Sequence, residues 1–144
     1  MSMDSLYTEL IMMHNRSGHN KHVLPEATHI ERGHNPNCGD DLTLQLWIEE
    51  GIVKDAAYVG HGCAISQAAM SIMIDLVKEK PVAEAKVLAH DYLRMIRGEQ
   101  LTEEQRDALA DAIVFESLSK MPARVKCGTL GWHCLEVSLA ETAE

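Results

Sequence analysis

A short turn in the first third of the chain places a thiol and a carboxylate two residues apart. It reads Asn-Pro-Asn-Cys-Gly-Asp over residues 35–40. Pro36 fixes its own φ and keeps the preceding residue out of the helical region, while Gly39 lets the backbone turn freely. We therefore expect the side chains of Cys38 and Asp40 to point toward one place.

Two further cysteines stand in comparable surroundings. Cys63 follows Gly62 at the expected end of a strand, just before a helix. Cys127 is flanked by Arg124 and Lys126, ahead of the last predicted helix. Because helix N-termini and nearby cations favour the thiolate, which is the form that binds metal and attacks sulfur, we expect both thiols to be reactive or metal-binding.

Three thiols and one carboxylate form a donor set for a metal ion. Cys38, Asp40, Cys63 and Cys127 suit tetrahedral zinc, or iron in a cluster. A carboxylate oxygen is a poorer partner for a soft metal than sulfur is, so Asp40 predicts one weaker, exchangeable bond. Taken singly, Cys63 could be a small apolar core residue and Asp40 a turn or capping residue. Since no C-x-x-C pair is present, the prediction depends on three cysteines that each lie at the end of an element.

Other candidate ligands have weaker positions. Cys134 lies seven residues after Cys127, about two turns farther along a helix, and we interpret it as a packed or half-exposed thiol. Most of the eight histidines are expected at the surface. His34 and His61 lie nearer to the predicted site, and His133 is a candidate accessory ligand.

The composition is that of a globular protein with an acidic surface. The chain has 144 residues, of which 46% are hydrophobic, and its net charge is −9. This length predicts one domain over residues 1–144, and the acidic balance opposes non-specific nucleic-acid binding. Without a basic-then-apolar leader or an apolar run of about 18 residues, we expect a cytoplasmic protein with no membrane segment and with reduced thiols.

The elements that must position these residues predict an α+β fold. Alternating apolar residues predict strands over residues 27–32, 42–48 and 52–60. Apolar stripes and capping patterns predict helices over residues 4–15, 64–79, 81–98, 102–117 and 130–139. We expect a small three-stranded antiparallel sheet that is covered on one side by these helices.

At these residues the chain resembles the U-type iron–sulfur cluster assembly proteins. The resemblance rests on Asn-Pro-x-Cys-Gly-Asp at 35–40, Gly-x-Gly-Cys-Ala-Ile-Ser-x-Ala at 60–68, Tyr-x-x-Leu-Ile-Met-x-His at 7–14 and the third cysteine at 127. It covers nearly the whole chain. Residues 17–20 depart from the sequence that the family usually shows after its first helix, and Gly128 stands where Ala or Ser is more usual.

Two features separate the branches of that family. In the scaffold branch, which is IscU-like, a histidine immediately precedes the third cysteine, and this chain has Lys126 there. The interval between Cys63 and Cys127 is also longer, with an extra helical segment around residues 82–115. Residues 124–132 are similar to the SufU branch instead.

The resemblance to the SufU branch implies a cofactor and a partner. It implies zinc held by Cys38, Asp40, Cys63 and Cys127, with Arg124 and Lys126 as accessory residues. The implied partner is a pyridoxal-phosphate cysteine desulfurase (SufS-like), with SUF-type assembly proteins downstream. Docking of the desulfurase is then expected to exchange one zinc ligand and free Cys38 to accept the persulfide sulfur.

Two alternatives use the same residues. The first is a scaffold on which a [2Fe–2S] cluster is assembled and then passed to apo-proteins. The second is a structural zinc module that only binds partners. Lys126 in place of histidine favours sulfur transfer over the scaffold, and the exchangeable Asp40 argues against the structural module.

Overall fold

The computed structural model describes residues 3–36 and 39–140. Cys38, the predicted sulfur acceptor, lies outside the described residues. In chain order the elements are α1 (Met3–Ser17), β1 (His29–Asn35), β2 (Asp40–Glu49), β3 (Ile52–His61), α2 (Ala64–Val77), α3 (Val82–Ile96), α4 (Glu103–Leu109), a 3₁₀ helix (Ala110–Lys120) and α5 (Pro122–Ala140).

The three strands form an antiparallel sheet in the order β1-β2-β3. Alternate residues of a strand share a face, and the inner face of β2 carries the fully buried Leu42, Leu44 and Leu46. The register pairs Asn35 with Asp40, and Asp41 with His61. The end of β1, the start of β2 and the end of β3 therefore lie at the same end of the sheet.

The first strand is shifted from its predicted position of 27–32. Thr28 lies just before β1, where its N–H donates to the Leu46 carbonyl at 2.7 Å. The strand continues through Gly33, although the residues there offer no apolar alternation. Gly33 permits a close approach of α5, since a Cβ at this position would lie 2.6 Å from Cys134 Sγ. Pairing with β2 and contact with α5 thus fix a strand end that periodicity alone does not show.

The last helix begins earlier than predicted, and this changes the surroundings of one site cysteine. It starts at Pro122, because proline is well suited to the first helical position. Cys127 therefore lies in the second turn of α5, and the prediction that it precedes the helix is wrong. The predicted helix over 102–117 is also divided, because Ala110 has a positive φ of 46° and a 3₁₀ helix follows it.

The helices pack on the sheet and on one another. Helix α5 contacts β1 and β2, and α2 contacts both β3 and α5. Trp132 of α5 stacks on Tyr92 of α3, with ring centroids 4.1 Å apart. These contacts confirm the α+β class with helices against a three-stranded sheet. Among the described residues, no helix is both long and apolar enough to cross a membrane.

One N-terminal histidine is not at the surface. His14 is buried, and its Nδ1 lies 2.6 Å from the Ser71 hydroxyl of α2. Burial lowers the pKa of His14 below its ordinary value, so the ring is held neutral. We interpret His14 as a residue that joins α1 to α2.

Candidate metal centre

Three of the four predicted ligands lie close together at one end of the sheet. Asp40 opens β2, Cys63 immediately precedes α2, and Cys127 lies on α5. One ligand atom from each of the three side chains lies within 4.8 Å of the other two. The strand register brings Asp40 close to the end of β3, and therefore close to Cys63. The fourth predicted ligand, Cys38, belongs to the turn that leads into Asp40 and is outside the described residues.

The carboxylate of Asp40 is fully buried, and one of its two oxygens has a hydrogen-bond partner among the described residues. Its Oδ1 accepts a hydrogen bond from the backbone N–H of Cys63 at 2.8 Å. No hydrogen bond from the described residues reaches Oδ2. A buried carboxylate oxygen without a partner is costly, so this atom is the one that a bound cation would satisfy.

Cys63 caps the N-terminus of α2. Its Sγ accepts a hydrogen bond from the backbone N–H of Ser66 at 3.4 Å. The Ser66 hydroxyl in turn donates to the Cys63 carbonyl at 3.1 Å. Free N–H groups and the helix dipole both favour negative charge at this position. Sequence reasoning missed Ser66, although the Cys-x-x-Ser spacing matches a cap residue and its third helical neighbour.

Gly62 leaves the space in which these groups approach one another. A Cβ at this position would lie 2.6 Å from the Ser66 hydroxyl oxygen and 2.8 Å from Asp40 Oδ1. Both distances are shorter than van der Waals contact. Any side chain here would therefore push Asp40 and the start of α2 apart, and glycine is what keeps the three ligands together.

Cys127 is buried within α5, with 6% of its surface exposed. Helix-dipole effects fade after the first turn, so the predicted helix N-terminus does not act on this thiol. Arg124 lies three residues earlier, and residues with this spacing share one helix face. Of the two influences predicted for the Cys127 thiol, a helix N-terminus and a nearby cation, the position of Arg124 on α5 supports the second.

The two predicted accessory residues are both exposed. The hydroxyl of Tyr7, on α1, lies within electrostatic reach of Arg124, Cys63 and Cys127. Sequence reasoning missed Tyr7 as a site residue, because nothing in its position on α1 indicates which end of α5 it meets. Lys126 borders an open hollow of about 460 Å³ beside the turn between β1 and β2.

The other candidate ligands lie outside the cluster. His34 and His61 are exposed, and His133 is exposed and lies 3.4 Å from Glu136. Cys134 is buried, and burial raises the pKa of its thiol to about 12. In the described part of the chain, neither the histidines nor Cys134 share a ligand group with Asp40.

The donor set fits a zinc ion. Tetrahedral zinc binds sulfur at about 2.3 Å and carboxylate oxygen at about 2.0–2.2 Å, which places neighbouring donors roughly 3.5–3.8 Å apart. The three donor atoms lie within 4.8 Å of one another, which is close to that spacing. Two sulfurs, one unsatisfied carboxylate oxygen and the glycine that gives them room form a set that such an ion can bridge.

Comparisons with known proteins give consistent results. The family model described as the NifU-like N terminal domain matches residues 6–139. The chain is 35% identical over 140 residues to the zinc-dependent sulfurtransferase SufU of Bacillus subtilis, covering 97% of this chain and 93% of that protein. It is 37% identical over 139 residues to the iron–sulfur cluster assembly scaffold protein IscU of Thermotoga maritima, covering 96% of each.

The fold is also similar to solved structures. The crystal structure of FiSufU from Fervidobacterium islandicum superimposes with a TM-score of 0.82 at 33% sequence identity. The match covers 94% of this chain and 97% of that one. The similarity therefore extends over the three-stranded sheet and the helices that carry the cluster.

Proposed function

Because the chain belongs to the family of NifU-like N-terminal domains, we propose that it accepts sulfur from a cysteine desulfurase and passes it to iron–sulfur cluster assembly. Membership of the U-type assembly proteins follows from the family match and from the two full-length relatives. The observation that carries the proposal is the cluster of Asp40, Cys63 and Cys127, with its buried carboxylate oxygen.

Zinc is the metal that we propose for this site. Cys38, Asp40, Cys63 and Cys127 would hold it, and the zinc-dependent SufU of Bacillus subtilis supports this choice. When bound, zinc supplies the Lewis acidity that keeps its cysteine ligands deprotonated at neutral pH. Asp40 contributes the weakest of the four bonds, because its oxygen is harder than sulfur.

The proposed transfer is an exchange between sulfur atoms. The thiolate of Cys38 attacks the terminal sulfur of a persulfide on the desulfurase cysteine. A sulfur–sulfur bond forms at Cys38 as the one in the donor breaks, and the donor cysteine leaves as a thiolate. Charge and oxidation state balance, so the step requires no outside oxidant or reductant. Cys38 suits this role because it lies only two residues before Asp40 in the sequence.

The cations near the site favour an approaching anionic sulfur. Lys126 and Arg124 are exposed, and neither forms an ion pair with a carboxylate in the described part of the chain. The described residues that line the hollow beside Lys126 include His34, Pro36 and Leu130, and none of them is acidic. In a protein of net charge −9, this local excess of basic groups supports docking of a partner's anionic group here.

A second candidate function is assembly of a [2Fe–2S] cluster on the same ligands. The relative from Thermotoga maritima, which is named a scaffold, favours it. Cysteine thiolates are the usual ligands of such clusters. Lys126 favours transfer, because the scaffold branch has a histidine at this position.

The test is a sulfur-transfer assay with purified, metal-analysed protein under anaerobic, reducing conditions. We expect stoichiometric zinc, and several-fold faster sulfide release when the protein is added to a desulfurase and cysteine. Cys38→Ser should abolish both the stimulation and the added sulfur atom that mass spectrometry detects on wild type. Cys134→Ser is the matched control and should transfer normally. Full stimulation by Cys38→Ser would refute the proposal, and a protein isolated with stable iron and sulfide would support the scaffold function instead.

A further inference from the structure

Every polar atom of Cys63 has a hydrogen-bond partner. Its N–H donates to Asp40 Oδ1 at 2.8 Å, and its carbonyl accepts from the Gln67 N–H at 3.2 Å. Its sulfur accepts from the Ser66 N–H at 3.4 Å. The side-chain amide of Gln67 also donates to the carbonyl of Gly62, the residue before Cys63, at 2.8 Å. Cys63 is therefore fixed both through its backbone and through its sulfur.

The hydroxyl of Ser66 lies beside that sulfur. Ser66 is fully buried, and its Oγ accepts from the Cys63 thiol across 3.6 Å. The same hydroxyl donates to the Cys63 carbonyl at 3.1 Å. Within the described part of the chain, both hydrogen bonds of this hydroxyl thus involve Cys63.

Deprotonation of the sulfur reverses the direction of this contact. A thiolate, the form that binds a metal, can only accept hydrogen bonds, so its contact with Oγ persists only if Ser66 donates. A hydroxyl hydrogen can rotate to suit its acceptor, and a charged acceptor forms the stronger hydrogen bond. The Cys63 carbonyl keeps the Gln67 N–H as a partner. The rotation therefore leaves no buried acceptor of Cys63 unsatisfied.

Burial alone does not protect Cys63 from an incoming persulfide. Cys63 is partly exposed, whereas Cys127 is buried within α5. A thiolate in an accessible position attacks sulfur readily unless its charge is shared with hydrogen-bond donors, which lowers its nucleophilicity. The two donors of Ser66 are the groups in contact with the Cys63 sulfur that can do this.

We propose that Ser66 is a positioning residue that retains Cys63 as a metal ligand and keeps it from accepting sulfur. Its N–H and its hydroxyl both hydrogen-bond the thiolate, which orients the sulfur toward the cluster and stabilises its charge there. Retention of the ligand requires only a metal at the site. Selection of Cys38 over Cys63 as the acceptor rests on the proposed function.

The first test measures zinc affinity, and the alkylation rate of each cysteine at saturating zinc, in wild type and Ser66→Ala. The variant removes the hydroxyl and keeps the backbone N–H that bonds the sulfur. We expect zinc affinity to fall about tenfold, as is usual when a ligand loses an outer partner. Alkylation of Cys63 should become roughly three- to tenfold faster. Cys127 is the internal reference, because release of zinc alone would free both thiols.

Ser71→Ala is the matched control for the loss of a buried hydroxyl. Ser71 is fully buried on the same helix, and its hydroxyl lies 2.6 Å from His14 Nδ1 instead of beside a ligand. Zinc affinity and the alkylation rate of Cys63 should stay at their wild-type values. The proposal is overturned if Ser66→Ala also keeps both values.

A second readout uses wild type and depends neither on a variant nor on activity. In NMR spectra of protein loaded with cadmium-113, the Ser66 amide proton should show a scalar coupling to the metal, transmitted through the Cys63 sulfur. Absence of this coupling would contradict the proposed hydrogen bond to a metal-bound sulfur.

Mapping of the transferred sulfur separates this inference from the proposed function. After reaction with a desulfurase and cysteine, peptide mass spectrometry should find added sulfur on Cys38 in wild type, and on both Cys38 and Cys63 in Ser66→Ala. Added sulfur on Cys38 alone in the variant would overturn the selective role of Ser66. Wild type that accepts no sulfur would refute the proposed function, and the zinc and cadmium measurements would still decide whether Ser66 retains Cys63 on the metal.

Discussion

Neighbouring side chains of this protein differ sharply in their surroundings, and the two aspartates at the start of β2 show why. Successive residues of a strand point to opposite sides. Asp40 points inward to the cluster and is buried, while Asp41 forms two hydrogen bonds with Arg32, at 2.8 and 2.7 Å. The Arg32 hydrogen bond holds the pKa of Asp41 below its ordinary value. The pleat of the strand therefore decides which carboxylate is available as a ligand.

The thiol of Cys134 provides a pH-dependent prediction. Burial is the main cause that raises its pKa from 9.0 to about 12, and Glu31 adds to the rise. The folded state thus favours the neutral thiol. Its contribution to stability is complete below the unfolded pKa near 9 and is lost as pH rises toward about 12. Wild type should lose about 1 kcal/mol more than Cys134→Ala between pH 9 and 10.

Urea unfolding of both proteins at pH 7, 9 and 10 measures this difference. The value at pH 7 gives the packing cost of the alanine, which is subtracted. Tyr58, whose pKa burial raises to about 12, titrates in both proteins and cancels. Equal pH slopes for the two proteins would show that the folded state does not suppress ionisation of Cys134.

At the scale of elements, the sequence predicts regular segments well and their irregular ends poorly. The strand β2 is recognisable because its Leu42, Leu44 and Leu46 alternate with polar residues, and β3 is recognisable as the second arm of a hairpin after Gly51. Helix α5 begins earlier than the sequence predicts. Pro122, its first residue, is equally compatible with a break in the chain and with the first position of a helix, and tertiary packing decides between the two. The division after α4 has no sequence signal at all, since alanine is an unusual residue at the positive φ of Ala110.

Because of that division, we predict that alanine-to-glycine substitution changes the free energy of unfolding in opposite directions at two positions. Ala110 has φ 46° and ψ −124°, a conformation that glycine adopts far more easily than an L-residue with a Cβ. Ala110→Gly should therefore raise the free energy of unfolding by about 1 kcal/mol. Ala83→Gly is the matched control at an exposed position within α3, and it should lower the same quantity by about 0.5–1 kcal/mol.

Chemical denaturation of the two variants beside wild type is sufficient to test this. The two substitutions remove the same methyl group from exposed positions, so differences in hydrophobic burial are small. If Ala110→Gly were as destabilising as Ala83→Gly, the break between α4 and the 3₁₀ helix would not be a strained junction.

At the scale of the whole molecule, the candidate site exists because three separate elements converge. The sequence motifs identify which residues bear thiols and carboxylates, and their resemblance to a family predicts that they meet. The distances among Asp40, Cys63 and Cys127 depend on strand register, on the cap of α2 and on the depth of Cys127 in α5.

The buried carboxylate at this point of convergence should affect stability in opposite directions with and without metal. Asp40→Asn keeps an oxygen that accepts from the Cys63 N–H, and it replaces the oxygen that has no partner among the described residues with an NH2 group that can donate to a neighbouring cysteine sulfur. Metal-free protein should therefore gain about 1 kcal/mol in the free energy of unfolding. An amide is a poorer zinc ligand than a carboxylate, so zinc affinity should fall roughly tenfold or more.

Thermal and urea unfolding with saturating zinc, and again with a strong chelator, measure both effects of Asp40→Asn: the gain in stability without metal and the smaller stabilisation by zinc. Wild type should gain stability with zinc according to its affinity, and Asp40→Asn should gain less by about 1.4 kcal/mol or more, the equivalent of that tenfold loss. Asp41→Asn is the matched control one residue along β2, where the side chain meets Arg32, and it should leave zinc affinity unchanged. If Asp40→Asn bound zinc as tightly as wild type, Asp40 would not be a ligand, and the unsatisfied oxygen would need another partner.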